Sequence, residues 1–226
     1  KSSNKSVSSR GGRQLTPFEI DAADYEENHH FFLSQYFRDN YDAAMKSLPN
    51  LKTGITINRV EVWVTNKTGT TSNTRNIVAL TDLGENRKVS RTDLWGPGSG
   101  PVPTNNANTE YSTLTQTYPA ARDIDQVTGI LDGAGLVGGN DYEKLANARL
   151  LGSSEYTVNT ALGYISLRSG LQTDQVLAIA YEYTYGGVTY QVGEFASDHT
   201  NINEALFVKS LKNTSNNPKQ GNWNLM

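Results

Sequence analysis

The sequence predicts an α+β domain, made mainly of antiparallel β-sheet in a sandwich-like arrangement, with a long N-terminal helix and one or two short central helices. Two observations lead to this prediction. Apolar and polar residues alternate in the segments near 54–66 and 176–195, as in strands with one buried face. Aromatic residues recur at helical spacing near the N-terminus, and shorter helical patterns follow in the middle of the chain.

The N-terminal helix is predicted from residues 24–48. Asp24 with Glu27 three residues later resembles a capping box, and residues 16–19 provide an alternative start. Pro49 ends the pattern. The aromatic and apolar residues on one side of this helix are expected to form a packed core face rather than a ligand site; they are Tyr25, His29, Phe32, Tyr36 and Met45.

The strongest strand signal is a hairpin formed by residues 176–185 and 188–195. Gly186 and Gly187 join the two strands and tolerate positive φ at both positions, which suits a type I′ turn. That turn places Tyr185 opposite Val188. The resulting register gives the hairpin one apolar face and one polar face.

The remaining strands and helices are predicted from weaker sequence patterns. A strand over 54–66 changes phase near Asn58, which predicts a bulge, and it is expected to pair with a strand over 75–83. Short helices are expected after Pro119, and from Asn140 or Asp141 through Tyr142, Leu145 and Leu151. Further short strands are expected at 156–158, 163–168 and 205–211.

The domain organisation follows from composition. Residues 1–14 are polar and basic, and we expect a flexible tail or linker there, because they have little apolar surface to bury. Residues 15–226 are predicted to form one soluble domain, cut from a longer protein. Residues 96–112 are rich in Gly and Pro and predict a long loop that is functional, mobile or both.

Composition also excludes several classes of function. The net charge of −3 argues against a general nucleic-acid binder. The absence of Cys excludes disulfides, thiolate metal sites and Cys nucleophiles. The sequence contains no run of 18 apolar residues, so it predicts no membrane-spanning helix. A charged fraction of only 19% together with 12 Tyr indicates an exported, β-rich protein.

No motif predicts a reaction, a cofactor or a metal site. His29 and His30 are adjacent, and Ser99 lies in a Gly/Pro loop without the strand that a nucleophile elbow needs. The Gly-rich segment 133–139 lacks the Lys of a phosphate loop. Carboxylate pairs such as Asp123 and Asp125 occur, but no acidic motif stands out, and the distance across a cleft that glycoside hydrolysis needs cannot be read from sequence. We therefore predict no catalytic residue and no cofactor. Trp95 and Trp223 are the candidate partner contacts.

Several long segments resemble the SprA/Sov family. The first is residues 24–41, and the second is residues 57–67, followed by 75–85. Similar segments continue through the chain at 136–144, 162–167, 176–193 and 212–219. The resemblance spans roughly residues 24–226, whereas residues 1–14 and the 96–112 loop carry none of it.

The resemblance implies a function in protein export. Members of that family are very large outer-membrane β-barrels of Bacteroidota that form the translocon of the type IX secretion system and support gliding motility. The chain would then be a non-catalytic structural insertion in such a barrel. Its implied partners are other secretion-system subunits, exported cargo and the remainder of the parent barrel, through which it is held at the outer membrane.

The expected side of the membrane follows from barrel geometry. Outer-membrane barrels have short periplasmic turns and long extracellular loops, so a 200-residue insertion is expected on the cell surface rather than in the periplasm. Two other functions remain open. One is a carbohydrate- or peptide-binding surface module, suggested by Tyr and Trp on strands, and the other is a hydrolase using paired carboxylates.

Overall fold

The computed structural model describes residues 26–51, 53–215 and 225. In this part of the chain it is mostly β, with three short α-helices and one 3₁₀ turn at Pro119–Arg122. The strands are β1 His30–Phe32, β2 Ile55–Val64, β3 Thr74–Leu80, β4 Tyr142–Leu150, β5 Tyr156–Asn159, β6 Tyr164–Leu167, β7 Leu177–Tyr185, β8 Val188–Val192 and β9 Leu206–Lys212. The helices are α1 Gln35–Met45, α2 Glu110–Gln116 and α3 Val127–Gly133.

Five of these strands close into a small barrel. Around the barrel the order is β2-β4-β3-β9-β7, and β7 pairs with β2 to complete the ring. All neighbours are antiparallel except β3 and β9. Strand β8 extends from the barrel by pairing with the C-terminal half of β7, and β1-β6-β5 form a separate three-stranded sheet.

The barrel wall separates two hydrophobic clusters. Alternate residues of all five barrel strands contribute to a cluster that no helix joins, and this cluster fills the barrel interior. Its members include several alanines beside the rings of Trp63 and Phe195, because a barrel of few strands leaves a narrow interior. The larger cluster lies outside the wall, where the helices and the second sheet cover the barrel.

The prediction of a long N-terminal helix is wrong. Within the described residues, α1 begins only at Gln35, and the preceding His30–Phe32 form strand β1. Phe31 and Leu33 are buried while His30 is exposed, which is the two-residue period of a strand. The hydrogen-bond partners of β1 lie in β6, more than 130 residues away, so the local pattern could not reveal them. Asp24, the predicted N-cap, lies outside the described residues.

The helix predicted from Asn140 is also wrong, since residues 142–150 form β4. Leu145 and Ala148 both point into the barrel although they are three residues apart. A bulge explains this spacing: the register shifts between the pairs Arg75–Ala148 and Ile77–Leu145. Asn147 takes a φ of 54° there, and its N–H donates to Asn76 Oδ1 at 3.0 Å. The extra residue mimics a helical period.

The sandwich-like arrangement and one strand pairing are corrected as well. Strand β2 does not pair with β3; β4 lies between them, and the main partner of β2 is β7. The predicted bulge in β2 is confirmed between Ile57 and Arg59. The hairpin is confirmed with the predicted register, including Tyr185 opposite Val188, and both turn glycines have positive φ.

Gly163 sets how closely α1 approaches the second sheet. Its φ is 68°, and a Cβ at this position would lie 2.1 Å from Cδ1 of Phe37. Its carbonyl also accepts a hydrogen bond from the Leu33 N–H at 3.0 Å. A side chain here would therefore push α1 away from the sheet.

We expect Gly163→Ala to lower the free energy of unfolding by about 1–3 kcal/mol, through backbone strain and overpacking against Phe37. Urea unfolding measures this difference. Gly129→Ala in α3 is the matched control, because nothing lies within 4 Å of its Cβ position and Ala favours a helix. Equal stabilities of the two variants would contradict this account of Gly163.

Candidate functional site: a groove along helix α1

A groove runs along α1, with one cavity on each side of Tyr36 and Tyr185. We call it the α1 groove. The first cavity, the tyrosine lobe, has a volume of about 310 Å³, and the second, the basic lobe, about 270 Å³. Tyr36, Asn40 and Tyr185 line both lobes, so the two cavities are adjacent parts of one depression.

Aromatic packing places α1 over the sheets. The ring of Phe37 lies edge-on to Tyr181 and Tyr183 of β7, with centroids 6.1 and 5.9 Å away. The ring of Tyr41 packs in the same way on Phe32 of β1, at 5.4 Å. These contacts hold the first two turns of the helix against the sheets, and they leave the tyrosine lobe between α1, β2 and the loop that precedes β6.

The basic lobe combines cations with amide groups. Arg87 and Lys88 line it and are exposed, and Lys88 forms an ion pair with Asp39 of α1 at 2.7 Å. In the part of the chain that the structure describes, Arg87 has no carboxylate partner. Gln35, Asn40 and Asn86 add polar side chains to the wall. Within residues 26–51, 53–215 and 225, this lobe therefore presents a guanidinium that no carboxylate engages.

Tyr36 and Tyr185 separate the lobes. Burial raises the pKa of Tyr36, and the neighbouring Tyr185 raises it further, while Arg87 opposes this effect. The Tyr36 hydroxyl is thus neutral at physiological pH and can both donate and accept hydrogen bonds. Such amphipathic rings at a groove suit contacts with another molecule.

Exposed apolar side chains cluster around the groove. Among the described residues, five large hydrophobic side chains are exposed, and two of them lie at the groove. Tyr185 lines both lobes, and Val188 faces Tyr185 across the hairpin turn. Apolar groups gathered beside a cavity mark a contact surface more often than scattered ones do.

A buried ion pair beneath the groove holds the start of α1. Lys209 of β9 lies 2.9 Å from Glu85 Oε1, and both groups are almost inaccessible. The Gln35 N–H donates to both Glu85 oxygens at 3.2 Å, so Glu85 satisfies the first backbone donor of the helix. Burial raises the pKa of Glu85, and the charge and hydrogen bond of Lys209 oppose that rise.

Two further carboxyl groups lie near this pair. Burial, together with the charge of Asp82, raises the pKa of Glu110 well above its usual range, and its Oε2 has no hydrogen-bond partner among the described residues. Its surroundings therefore favour the protonated form of Glu110. Asp82 accepts bonds from the N–H groups of Ser90 and Arg91 at 2.7 and 2.9 Å, which closes the turn that carries Arg87.

A second buried network lies elsewhere, around Glu194. Its side chain is 1% exposed and accepts two hydrogen bonds from Arg122, at 2.6 and 2.9 Å. It also accepts from the Tyr111 hydroxyl at 2.8 Å and the Phe207 N–H at 2.9 Å. Burial raises the pKa of Glu194, but the bonds and charge of Arg122 outweigh it and lower the pKa overall. All these partners hold neighbouring elements together.

The residues singled out from the sequence do not form this groove. Trp95 is only 6% exposed and packs in the outer core, so a partner contact through its indole stays a prediction. Trp223 lies outside the described residues. The predicted long loop is confirmed over 96–109, and it folds back so that Gly96 and Thr109 bond each other.

The charged residues considered for chemistry have structural partners. Both ring nitrogens of His30 are bonded, Nδ1 to Ser166 Oγ and Nε2 to Glu26, each at 2.8 Å. Asp123 accepts from the Asp125 N–H at 2.9 Å and from the Gln126 amide, which closes the turn before α3. Over residues 26–51, 53–215 and 225, no group of three or more His, Asp or Glu could hold a metal ion.

Sequence reasoning missed the α1 groove because its walls come from segments that are far apart in the sequence. Tyr36 and Asn40 are on α1, Arg87 follows β3, and Tyr185 ends β7. The one sequence signal for this contact surface was Tyr185, which directly precedes the Gly186–Gly187 turn, where few neighbouring residues can cover an aromatic ring.

The fold and the groove together define a β-rich domain with a surface suited to contact another molecule. Residues 1–97 match the SprA_N family model, described as a motility related/secretion protein. This match supports the resemblance to the SprA family and points to a protein related to motility or secretion. No curated protein matches the chain. None of the helices in the described part of the chain is long and apolar enough to cross a membrane.

Proposed function

We propose that the chain is a non-catalytic structural domain of an outer-membrane protein-export translocon of the type IX secretion system, which also serves gliding motility. The family match over residues 1–97 is the observation that carries this proposal. It covers β1, α1, β2 and β3, and therefore the Tyr36, Asn40 and Arg87 side of the groove.

The buried charges favour a structural role over a reaction. Glu85 bonds the start of α1 and Lys209, and Glu194 bonds Arg122, Tyr111 and the Phe207 N–H. A general acid or base needs access to substrate, whereas these carboxylates are 4% and 1% exposed and occupied by internal partners. The α1 groove is where this domain would meet secretion-system subunits or exported cargo, on the extracellular side of the outer membrane.

An epitope placed in the parent protein tests the location and the partners. The tip at Ser99 and Gly100 is exposed, and nothing lies within 4 Å of a Cβ at Gly100, so an insertion there is expected to leave the fold intact. We expect antibody to label intact cells of a gliding Bacteroidota strain, and the tagged protein to co-purify with outer-membrane secretion components. Labelling only after permeabilisation would contradict the extracellular location.

Deletion of the domain tests the role itself. We expect cells whose parent protein lacks residues 26–215 to lose export of secretion-system cargo and gliding, with the parent still present in the outer membrane. The tagged, otherwise complete protein is the control. Normal export and gliding by the deletion strain would contradict the proposal.

A further inference from the structure

We infer that the α1 groove binds an acidic peptide segment, with a carboxylate in the basic lobe and an adjacent apolar side chain in the tyrosine lobe. This inference rests on the proposed function in that it takes the groove as the contact surface and names the chemistry of its partner.

Charge decides what the basic lobe accepts. Arg87 carries a guanidinium with no carboxylate partner among the described residues, and its planar fork matches a carboxylate through two parallel hydrogen bonds. The pair between Lys88 and Asp39 is over 40% exposed on both sides, so it contributes little stability and Lys88 can also turn toward a ligand. Two cations against one carboxylate leave this lobe with one net positive charge.

The tyrosine lobe indicates which side chain of the peptide lies next to the carboxylate. Its wall includes the rings of Tyr36, Phe37, Tyr41 and Tyr185 and the methyl groups of Ala43 and Ala44. Such a surface favours an apolar or aromatic side chain. Because both lobes share Tyr36, Asn40 and Tyr185, one extended segment can occupy both at once.

Polar groups at the shared wall suit a peptide backbone. The Asn40 amide nitrogen donates to the Tyr36 carbonyl at 2.8 Å, which leaves its Oδ1 to accept from a ligand N–H. The Tyr36 hydroxyl, neutral at physiological pH and hydrogen-bonded to Tyr185, adds a further polar group to this wall. A neutral oligosaccharide would use the tyrosines but would leave Arg87 without an anion, and for that reason a peptide is favoured.

Fluorescence anisotropy with the 226-residue chain tests this inference. The probe is a fluorescein-labelled peptide Ser-Leu-Tyr-Asp-Glu-Ser, compared with its neutral analogue Ser-Leu-Tyr-Asn-Gln-Ser. We expect the acidic peptide to bind about tenfold more tightly than the neutral one, with a preference that weakens at high salt. Arg87→Glu is expected to remove this preference, and Tyr185→Ala to weaken the binding of both peptides.

Arg168→Glu is the matched control, because Arg168 is an exposed cation that lines a different cavity. It should bind the acidic peptide as the unmodified chain does, and thermal unfolding by circular dichroism should show that all variants are folded. Equal affinity for the two peptides, or loss of binding in Arg168→Glu but not in Arg87→Glu, would overturn the inference. Competition by a neutral oligosaccharide that is unaffected by Arg87→Glu would also overturn it.

The two proposals fail in different ways. Absence of peptide binding overturns the acidic-peptide inference, while the export defect of the domain deletion is measured independently in cells. Conversely, normal export by the deletion strain contradicts the secretion role, even when the purified chain binds the acidic peptide.

Discussion

Lys209→Met is expected to lower the free energy of unfolding by about 3–5 kcal/mol, because it leaves Glu85 as a buried carboxylate without its counter-charge. Lys209 is 1% exposed, and its ammonium is bonded to Glu85 and to the Thr81 carbonyl. Water cannot replace these partners without opening the contact between α1 and the barrel. Urea unfolding of the purified chain at pH 7 measures the loss.

The size of this loss is expected to depend on pH in a specific direction. In the native chain burial already raises the pKa of Glu85, and removal of Lys209 raises it further. A raised pKa means that the folded state holds the proton more tightly, so the contribution to stability is present at low pH and is lost as pH rises through the folded pKa. The difference between Lys209→Met and the unmodified chain should therefore be smaller near pH 4 than at pH 7.

A second substitution separates charge burial from packing. Adding Glu85→Gln to Lys209→Met removes the uncompensated charge and should recover a large part of the lost stability, since an amide side chain still accepts from the Gln35 N–H. Lys144→Met on β4 is the matched control, because Lys144 is exposed. If Lys144→Met and Lys209→Met lose equal stability, the buried pair does not hold α1 as described.

Arg122→Met is expected to cost about 3–5 kcal/mol through a second buried carboxylate, Glu194. The substitution removes both hydrogen bonds that the guanidinium donates to Glu194. It also removes the cation–π contact of the guanidinium, which lies 4.4 Å from the centre of the Phe207 ring. Glu194 would keep the Tyr111 hydroxyl and the Phe207 N–H, which stabilise an anion less than Arg122 does. Thermal unfolding at pH 7 measures the loss.

The contribution of Glu194 to stability varies with pH in the opposite direction to that of Glu85, although both substitutions are expected to cost less at low pH. The pKa of Glu194 is lowered in the folded chain, so its contribution is present above the unfolded pKa of about 4.3 and is lost as pH falls through the folded value. In Arg122→Met this contribution is absent at neutral pH, and the stability difference should shrink on acidification.

Arg149→Met provides the control for Arg122→Met. Arg149 bonds Glu155 at 2.9 and 3.0 Å, which resembles the Arg122 geometry, but the side chains are 28% and 42% exposed. Exposed pairs contribute about 1 kcal/mol or less. A loss in Arg149→Met as large as that in Arg122→Met would show that burial is not what makes Glu194 important.

How far each element could be predicted depends on where its hydrogen-bond partners lie in the chain. The β7–β8 hairpin was predicted with its register, because two residues, Gly186 and Gly187, determine the turn and therefore every pair after it. Strand β1 was mistaken for helix, because its partners are in β6. Strand β4 was mistaken for helix because the bulge at Asn147 changes the spacing of its inward residues.

The residues of the candidate site were also hard to predict, because they come together only through contacts between distant segments. Trp95 was selected from its position beside a Gly/Pro loop, yet the loop folds back and the ring is buried. Arg87 and Asn40 carry no sequence signal of their own, and they became a site only when the turn closed by Asp82 met α1.

By itself, the sequence determined that the chain is β-rich and without Cys, where its tightest hairpin turns, and which family its segments resemble, because these properties depend on composition and on neighbouring residues. Only the tertiary structure decided that five strands close into a barrel, that α1 starts at Gln35, and that two lobes meet at Tyr36 and Tyr185. The physical reason is that ring closure and groove walls join segments far apart in the sequence, such as Ile77 of β3 with Leu206 of β9. The free energy of those contacts comes from burial that no local pattern encodes.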